Sequence, residues 1–230
     1  MAGSRAIDRD KRRSIEMQVE SIEANVRSIS NQTVRHPGFI SFKTAGPIPY
    51  VFRWHRDLLI QVTLDPAIDE IHYEHPTTEG DESLNLRLVA DGTAIHVIAL
   101  RDADVMSLRP GPPGGALLRR SFVLTEPRAS DARAVWATRR LLVQIGDRLR
   151  VLLAVGDGRQ HSISDLVPSI RDQGYDPFEA ILSLVCRGDL AIDLRDGLHP
   201  DARIARSKPR VRALPSDDQL GTADRGLTIR

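Results

Sequence analysis

Apolar residues recur at helical spacing over residues 50–64, directly before three segments that have the character of β-strands. The spacing predicts a helix over Tyr50–Leu64, which ends at Asp65 because Pro66 cannot continue it. The apolar stripe of this helix consists of Val51, Trp54, Leu58, Leu59 and Val62. At about 100° per residue, His55 falls inside the stripe, which predicts a histidine in the core.

The segments that follow predict strands over Ile68–Tyr73, Leu84–Ala90 and Thr93–Leu100. Asp91-Gly92, between the second and third strands, is a strong signal for a two-residue hairpin turn. The third strand is rich in β-branched residues and mostly apolar on both faces, as expected of a central strand.

A tight turn at this hairpin fixes which of its side chains meet. Leu86 is predicted to share a face with Val97 and Ala99, and Arg87 to pair with His96. These elements predict an α/β domain over residues 35–126.

Both ends of the chain are polar. Residues 1–34 contain apolar positions at spacings of three and four, which predict an amphipathic helix over Lys11–Ser30. Packing on the main domain and pairing in a short coiled coil are both open for this helix. Residues 207–230 predict a disordered tail.

Two short strands are predicted at the margins of the α/β domain. Phe39, Ile40 and Phe42 lie between turn-forming residues, which favours a short strand. Ser121–Thr125 predicts an edge strand after a connector rich in glycine and proline.

The second half of the chain predicts several helices. One helix begins at Ser130 and ends near Gly156. Ser164 is the predicted N-cap of a helix through Gln173, and Gly174 fits the C′ position after it.

A third helix begins at Asp176-Pro177, because the aspartate can cap it and proline fits its first position. It ends at Gly188, and strands are predicted over Leu190–Leu194 and Arg203–Arg206. With a short extended piece before the second helix, residues 130–206 have the element order of a small, mostly α, winged-helix-like domain.

The third helix is the one that would read DNA in such a domain. Within Pro177–Arg187 it has one basic residue, Arg187, whereas a helix that contacts base edges normally carries arginine, asparagine or glutamine. We therefore expect this domain to contact a protein partner, and DNA binding through the helix is the other interpretation.

Composition narrows the classes of protein that remain. The 230-residue chain has 32 basic and 31 acidic residues, so any DNA-binding surface must be local. The single cysteine, Cys186, allows no disulfide within the chain, which fits a cytoplasmic protein. No segment approaches the roughly 18–20 apolar residues of a membrane span, and no phosphate-binding G-x-x-x-x-G-K motif is present. We therefore expect neither a membrane nor a nucleotide partner.

Residues 36–104 resemble the core of PD-(D/E)XK nucleases and, more narrowly, TnsA, the endonuclease subunit of heteromeric transposases. The resemblance is carried by W-H-R-D-L-L-I-Q-V-T-L-D-P-A-I over residues 54–68, H-Y-E-H-P over 72–76, N-L-R-L-V-A-D-G over 85–92 and A-L-R over 99–101. It implies a restriction-endonuclease-like core, a helix with a mixed sheet, followed by the winged-helix-like domain.

The resemblance also identifies where the nuclease centre would lie. The helix glutamate of the family falls on His55, and its metal-binding aspartate on Leu86, or on Arg87 after a one-residue shift. The family's E-x-K pair falls on Ala99 and Arg101. Such a centre holds a divalent cation on carboxylates, and none of these residues has one. The resemblance therefore implies a catalytically inactive protein without a metal cofactor.

Two further sets of residues are candidates for a site. The residues expected to contact DNA, weakly and with little sequence preference, are Arg35, Lys43, Arg53 and Arg56. The residues that could rebuild a relocated magnesium site are Glu82, Asp102 and Asp104. Ordinary solvated charge is the other interpretation of both sets.

Three functions remain open. The first is an inactive TnsA-like protein that binds DNA, a protein partner or both in transposition or mobile-element regulation. The second is an active metal-dependent endonuclease with relocated carboxylates. The third is a regulatory protein-interaction module without DNA binding.

Overall fold

The computed structural model describes residues 38–75, 82–104, 115–156 and 158–208. The predicted helix over Lys11–Ser30, the candidate Arg35 and nearly all of the predicted tail lie outside these residues. No helix in the described part of the chain is long and apolar enough to cross a membrane.

Helix α1, Arg53–Leu64, is the helix predicted before the sheet, and it ends at the predicted residue. Its buried apolar residues include Trp54, Leu58, Leu59 and Val62. His55 is buried beside them, as the spacing predicted. Val51 does not belong to the stripe, because the extended backbone of Phe52 starts the helix after it and leaves Val51 exposed.

A mixed sheet of four strands follows α1. The strands are β1 (Glu70–Glu74), β2 (Leu84–Ala90), β3 (Thr93–Leu100) and β4 (Ala116–Arg119), paired in that order. The first three are antiparallel, and β4 runs parallel to β3. This half of the chain is therefore α/β.

The β2–β3 hairpin has the predicted register. Leu86 lies opposite Val97, and Arg87 lies opposite His96. The turn residues have positive φ, 46° at Asp91 and 76° at Gly92, which is the conformation of a tight type I′ hairpin turn.

The edge strand predicted over Ser121–Thr125 is wrong. The strand lies earlier, at β4, and Ser121 belongs to a short helix, α2, Arg120–Val123. Val123 is fully buried, and its carbonyl accepts a hydrogen bond from the Gln61 side chain at 2.8 Å. Contacts with α1 therefore hold this segment as a helical turn.

The segment before α1 forms two isolated bridges rather than the short strand predicted there. Phe39 pairs with Ile48, and Thr44 pairs with Ile71 of β1. The Phe39 ring stacks on Trp136 with 5.2 Å between centroids, so this segment links the sheet to the second half of the chain.

The single helix predicted from Ser130 to near Gly156 is wrong. Two helices occupy this range, α3 (Arg128–Ala137) and α4 (Ile145–Ala154). A 3₁₀ turn over Thr138–Arg140 follows α3, and the chain is extended from there to α4.

Hydrogen bonds from distant residues explain the break. The Ser183 hydroxyl donates to the Leu141 carbonyl at 2.8 Å, and the backbone N–H of Gln144 donates to the Tyr175 hydroxyl at 3.1 Å. Val143 between them is buried. These contacts satisfy backbone groups that a continuous helix would pair internally.

The second half ends in a small sheet with two helices. Its elements are β5 (His161–Ser162), α5 (Ile163–Leu166), α6 (Pro177–Cys186), β6 (Leu190–Ile192) and β7 (Arg203–Arg206). The strands pair in the order β5-β7-β6, with β7 antiparallel to both neighbours.

The helix predicted from Ser164 through Gln173, with a glycine ending it, is wrong in both bounds. Ser162 is the N-cap of α5, and it forms a capping box with Asp165. The helix continues only as a 3₁₀ turn that contains Pro168, because proline has no N–H for a helical hydrogen bond.

Helix α6 begins and ends as predicted. Asp176 caps it by accepting a hydrogen bond from the Glu179 backbone at 3.0 Å, and Gly188 follows its end with a φ of 79°. Every residue over 180–186 is buried. The helix is therefore an interior element of the fold.

The described residues of both halves bury their side chains in one hydrophobic cluster. Helix α3 packs against α1 on one side and against α6 on the other. The predicted domain boundary between residues 126 and 130 stays a prediction.

Candidate functional site

The positions that the resemblance assigns to the nuclease centre lie in or beside one part of the core. Leu86 and Ala99 are fully buried on one face of the β2–β3 hairpin, two rungs apart. Arg101 directly follows β3, and His55 is buried on α1, whose apolar residues join the same cluster. Arg87, the alternative for a one-residue shift, alternates to the other face of the sheet.

His55 lies against aromatic rings. Its ring centroid is 4.1 Å from that of Trp54 and 5.3 Å from that of Phe52, both in edge-on arrangements. Only 1% of the residue is exposed, and neither ring nitrogen has a hydrogen-bond partner among the described residues. Burial lowers the pKa of His55 from 6.5 to about 4, so the ring is neutral at pH 7.

Arg101 contacts one ring of this aromatic group, that of Phe52. Its guanidinium is 5.4 Å from the centroid of the Phe52 ring. It also forms ion pairs of 2.9 Å with both Glu82 and Asp104. The hydrogen bond with Asp104 and the attraction of the two carboxylates raise the pKa of Arg101. Phe52 therefore bridges the positions of the family's helix glutamate and of its lysine.

The three carboxylates of the alternative magnesium site have other partners. Glu82 and Asp104 share Arg101, whereas Asp102 accepts a hydrogen bond from the Ser121 hydroxyl, which lowers the pKa of Asp102. Within the described ranges, no three acidic, histidine or cysteine side chains are grouped so as to hold a metal.

The four residues expected to contact DNA have different surroundings. Arg35 lies outside the described residues. Lys43 is buried, and its ammonium donates to the Asp65 carbonyl at 2.5 Å, so it is not a surface cation. Arg53 is exposed at the start of α1, and Arg56 is partly exposed one turn later.

The structure brings two further arginines to this surface, Arg139 and Arg140 of the 3₁₀ turn. Burial lowers the pKa of Arg139, and repulsion from the nearby Arg56 and Arg140 lowers it further. Arg53 is a helical neighbour of Arg56, three residues before it. We call these four residues the arginine cluster.

No carboxylate within the described part of the chain forms an ion pair with the arginine cluster. Arg139 donates to the Trp136 carbonyl at 3.0 Å, and its guanidinium lies 5.7 Å from the Trp136 ring centroid, which fixes its direction. Sequence reasoning missed Arg139 and Arg140 because no local pattern shows that α3 packs against α1. The signal was the adjacent arginine pair itself.

A buried carboxylate that sequence reasoning also missed anchors α4. Asp147 is 1% exposed, and it accepts hydrogen bonds from the Tyr175 hydroxyl at 2.6 Å and from the backbone of Arg171 and Asp172. Arg150 also donates to it. Burial alone would raise the pKa of Asp147, but these hydrogen bonds outweigh it and lower the pKa to about 2.

Comparisons with protein-family models, with curated proteins and with solved structures found no match for this chain. Its possible functions are therefore argued from its own residues. Two features stand out in the described part of the chain. One is the apolar core at the positions assigned to the nuclease centre, and the other is the arginine cluster beside it.

Proposed function

We propose that this chain is a TnsA-like, nuclease-fold protein that binds DNA without cleaving it, in transposition or mobile-element regulation. The order of its elements supports this proposal. Helix α1, three antiparallel strands and a parallel β4 fit the helix and mixed sheet that the resemblance implies. Phe52 contacts both His55 and Arg101, and Leu86 and Ala99 lie on the hairpin that Arg101 follows, which supports a common centre for these positions.

The side chains at those positions support the absence of cleavage. A magnesium-dependent nuclease needs carboxylate oxygens that hold the cation and activate water. Leu86 and Ala99 offer no ligand, His55 is enclosed by aromatic rings, and Arg101 carries the same sign of charge as the metal. Replacing carboxylates with these residues removes the chemistry and leaves a packed core.

The single observation that carries DNA binding is the arginine cluster. Arg139 is repelled by Arg56 and Arg140, and no described carboxylate pairs with the cluster, so this surface favours an anion, and DNA phosphates present anions at regular spacing. Arg53 lies in the first turn of α1, whose N-cap has no side-chain hydrogen bond, so the positive end of the helix dipole adds to this surface. Phosphate contacts carry no sequence information, so binding should be sequence-tolerant.

The second half of the chain has a different part in this proposal. In the sequence, α5 and α6 lie between β5 and β6, and in the sheet the strands pair in the order β5-β7-β6. This arrangement fits a winged-helix-like unit. Residues 180–186 of α6 are buried, and its more exposed first turn carries the acidic Glu179, so the helix offers no basic face to the major groove. We assign this half to contacts with a protein partner.

Fluorescence anisotropy with a labelled DNA duplex at several salt concentrations tests DNA binding. We expect weak binding that falls steeply with salt. Replacing Arg53, Arg56, Arg139 and Arg140 together with glutamine should reduce the slope of log K against log salt by about 3 to 4, if each contacts one phosphate. The matched control replaces two arginines that already have acidic partners, Arg133 and Arg195.

The control should bind as the wild type does. Unchanged affinity and salt slope in the variant of the arginine cluster would reject this surface. An absence of DNA binding by the folded wild type would favour the protein-interaction function.

Cleavage is tested separately with supercoiled plasmid and magnesium or manganese. We expect no nicked product, because no described carboxylate replaces the family's ligands at the assigned positions. Nicking that disappears with Asp102→Ala would instead support the endonuclease with relocated carboxylates.

A further inference from the structure

Helix α4 has an exposed apolar stripe. Its members, from Leu142 just before the helix to Leu153 near its end, are between 53% and 79% exposed. They are Leu142, Ile145, Leu149 and Leu153. The last three are spaced by four residues, so they lie along one side of the helix, while Asp147 and Val151 on the opposite side are buried. We call these four residues the α4 stripe.

The orientation of the stripe is fixed by the structure around it. Asp147, in the first turn of α4, accepts hydrogen bonds from Tyr175, Arg150 and two backbone N–H groups. A helix held this way cannot rotate to bury the stripe without breaking these bonds. Single exposed apolar side chains are ordinary, but a contiguous row of large ones on a fixed helix marks a contact surface.

The exposed charged side chains beside the stripe are basic. At about 100° per residue, Arg148 and Arg150 lie on opposite sides of the stripe. Their side chains are 37% and 35% exposed, whereas their partners Asp189 and Asp147 are only 14% and 1% exposed. The arginine is therefore the more exposed member of each ion pair, and the exposed Arg140 extends this basic rim at the Leu142 end.

The size of the stripe decides between two kinds of occupant. From Ile145 to Leu153 it spans about 12 Å of helix, at 1.5 Å per residue. A stable dimer interface needs roughly 800 Å² on each partner, much more than one row of four side chains provides. A second copy would also bring two arginine rims together. A single helix laid along the stripe avoids both problems.

We propose that the α4 stripe docks an amphipathic helix of a partner protein, whose apolar face is flanked by aspartate and glutamate. The partner's apolar residues pack on Ile145, Leu149 and Leu153. Its acidic flanks face the exposed parts of the Arg148 and Arg150 side chains. This surface shares only Arg140 with the arginine cluster, and the contacts proposed for Arg148, Arg150 and the stripe do not depend on DNA binding.

The test uses the full chain and three labelled peptides of equal length in fluorescence anisotropy. The first is a designed helix with leucine at positions three and four apart and glutamate on both flanks. The second has lysine in place of every glutamate, and the third has the first peptide's composition in an order without a stripe. We expect the first peptide to bind at least tenfold more tightly than the other two.

The variant Leu149→Gln/Leu153→Gln should weaken binding of the first peptide at least tenfold. Ile40→Gln is the matched control, because Ile40 is equally exposed but lies outside the second half of the chain. Circular dichroism of each variant verifies that it is folded.

Equal binding of the acidic and basic peptides would overturn the proposal, and so would an unchanged affinity of the double variant. Self-association in sedimentation that the double variant abolishes would show a second copy as the occupant and overturn it too. Binding to anionic phospholipid vesicles that the double variant abolishes would also overturn the proposal, because it would show a membrane surface as the occupant.

Discussion

Replacing His55 with leucine should make the protein more stable at pH 7. The imidazole is enclosed, and both of its nitrogens lack a partner among the described residues. A buried polar group without a hydrogen bond costs about 1–3 kcal/mol, whereas leucine has a similar volume and no polar atom. Losing the edge-on contacts with Phe52 and Trp54 removes part of the gain, since aromatic contacts contribute about 0.5–1.5 kcal/mol. The net expectation is a stabilisation of about 1 kcal/mol.

The pH dependence of stability gives a sharper test of His55. Its pKa is about 4 in the folded protein and 6.5 as the ordinary value, so the unfolded chain binds more protons between these values. Above pH 6.5, His55 therefore has no effect on the pH dependence of the free energy of unfolding. As the pH is lowered from 6.5 towards 4, His55 lowers this free energy by about 3 kcal/mol. The His55→Leu variant lacks this contribution, so its stability should fall less over the same range.

Urea unfolding at pH 4, 5, 6 and 7 measures both effects. The control is His96→Leu, because His96 is partly exposed and contacts Glu74 at 3.0 Å, so its replacement should bring no gain at pH 7. A His55→Leu variant that is less stable than the wild type at pH 7 and has the same pH dependence would show that the imidazole is solvated or paired. It would contradict a buried histidine without a hydrogen-bond partner.

Three other substitutions test the packing that supports the proposed surfaces. His55→Glu, which introduces the glutamate that the resemblance assigns to this position, should destabilise the protein by several kcal/mol because it buries a carboxylate without a partner, and plasmid nicking should remain absent. Tyr175→Phe should lower the free energy of unfolding by about 1–3 kcal/mol, because it removes a donor to buried Asp147, and peptide binding at the α4 stripe should weaken with it. Gly188→Ala should cost at least about 2 kcal/mol in urea unfolding, since φ is 79° and a Cβ there would overlap the Phe42 ring, whereas Gly46→Ala, with open space around it, should be neutral.

Local signals predicted the parts of the fold that depend on neighbouring residues. Asp91-Gly92 determines the register of the β2–β3 hairpin, and Asp176 with its proline determines the start of α6. The burial of His55 also followed from helical spacing alone. In each case the residues that decide the structure lie within a few positions of one another.

Contacts between distant residues decided the parts that sequence reasoning missed. The break before α4 depends on Ser183 and Tyr175, which are 42 and 31 residues from their partners. The burial of Lys43 depends on a carbonyl 22 residues away, at the end of α1. No periodicity within one segment reports such partners, so charged loop residues were expected at the surface and an apolar run was expected to stay helical.

The same break connects the two surfaces. It ends the helical path at Arg140, directly after Arg139, which lies near Arg56. Two residues later the chain exposes Leu142, the first member of the α4 stripe. A continuous helix would have carried Leu142 further along the axis of α3. The hydrogen bond from Ser183 to Leu141 therefore supports the turn of the chain that leads to α4, and the α4 stripe begins two residues after the arginine cluster ends.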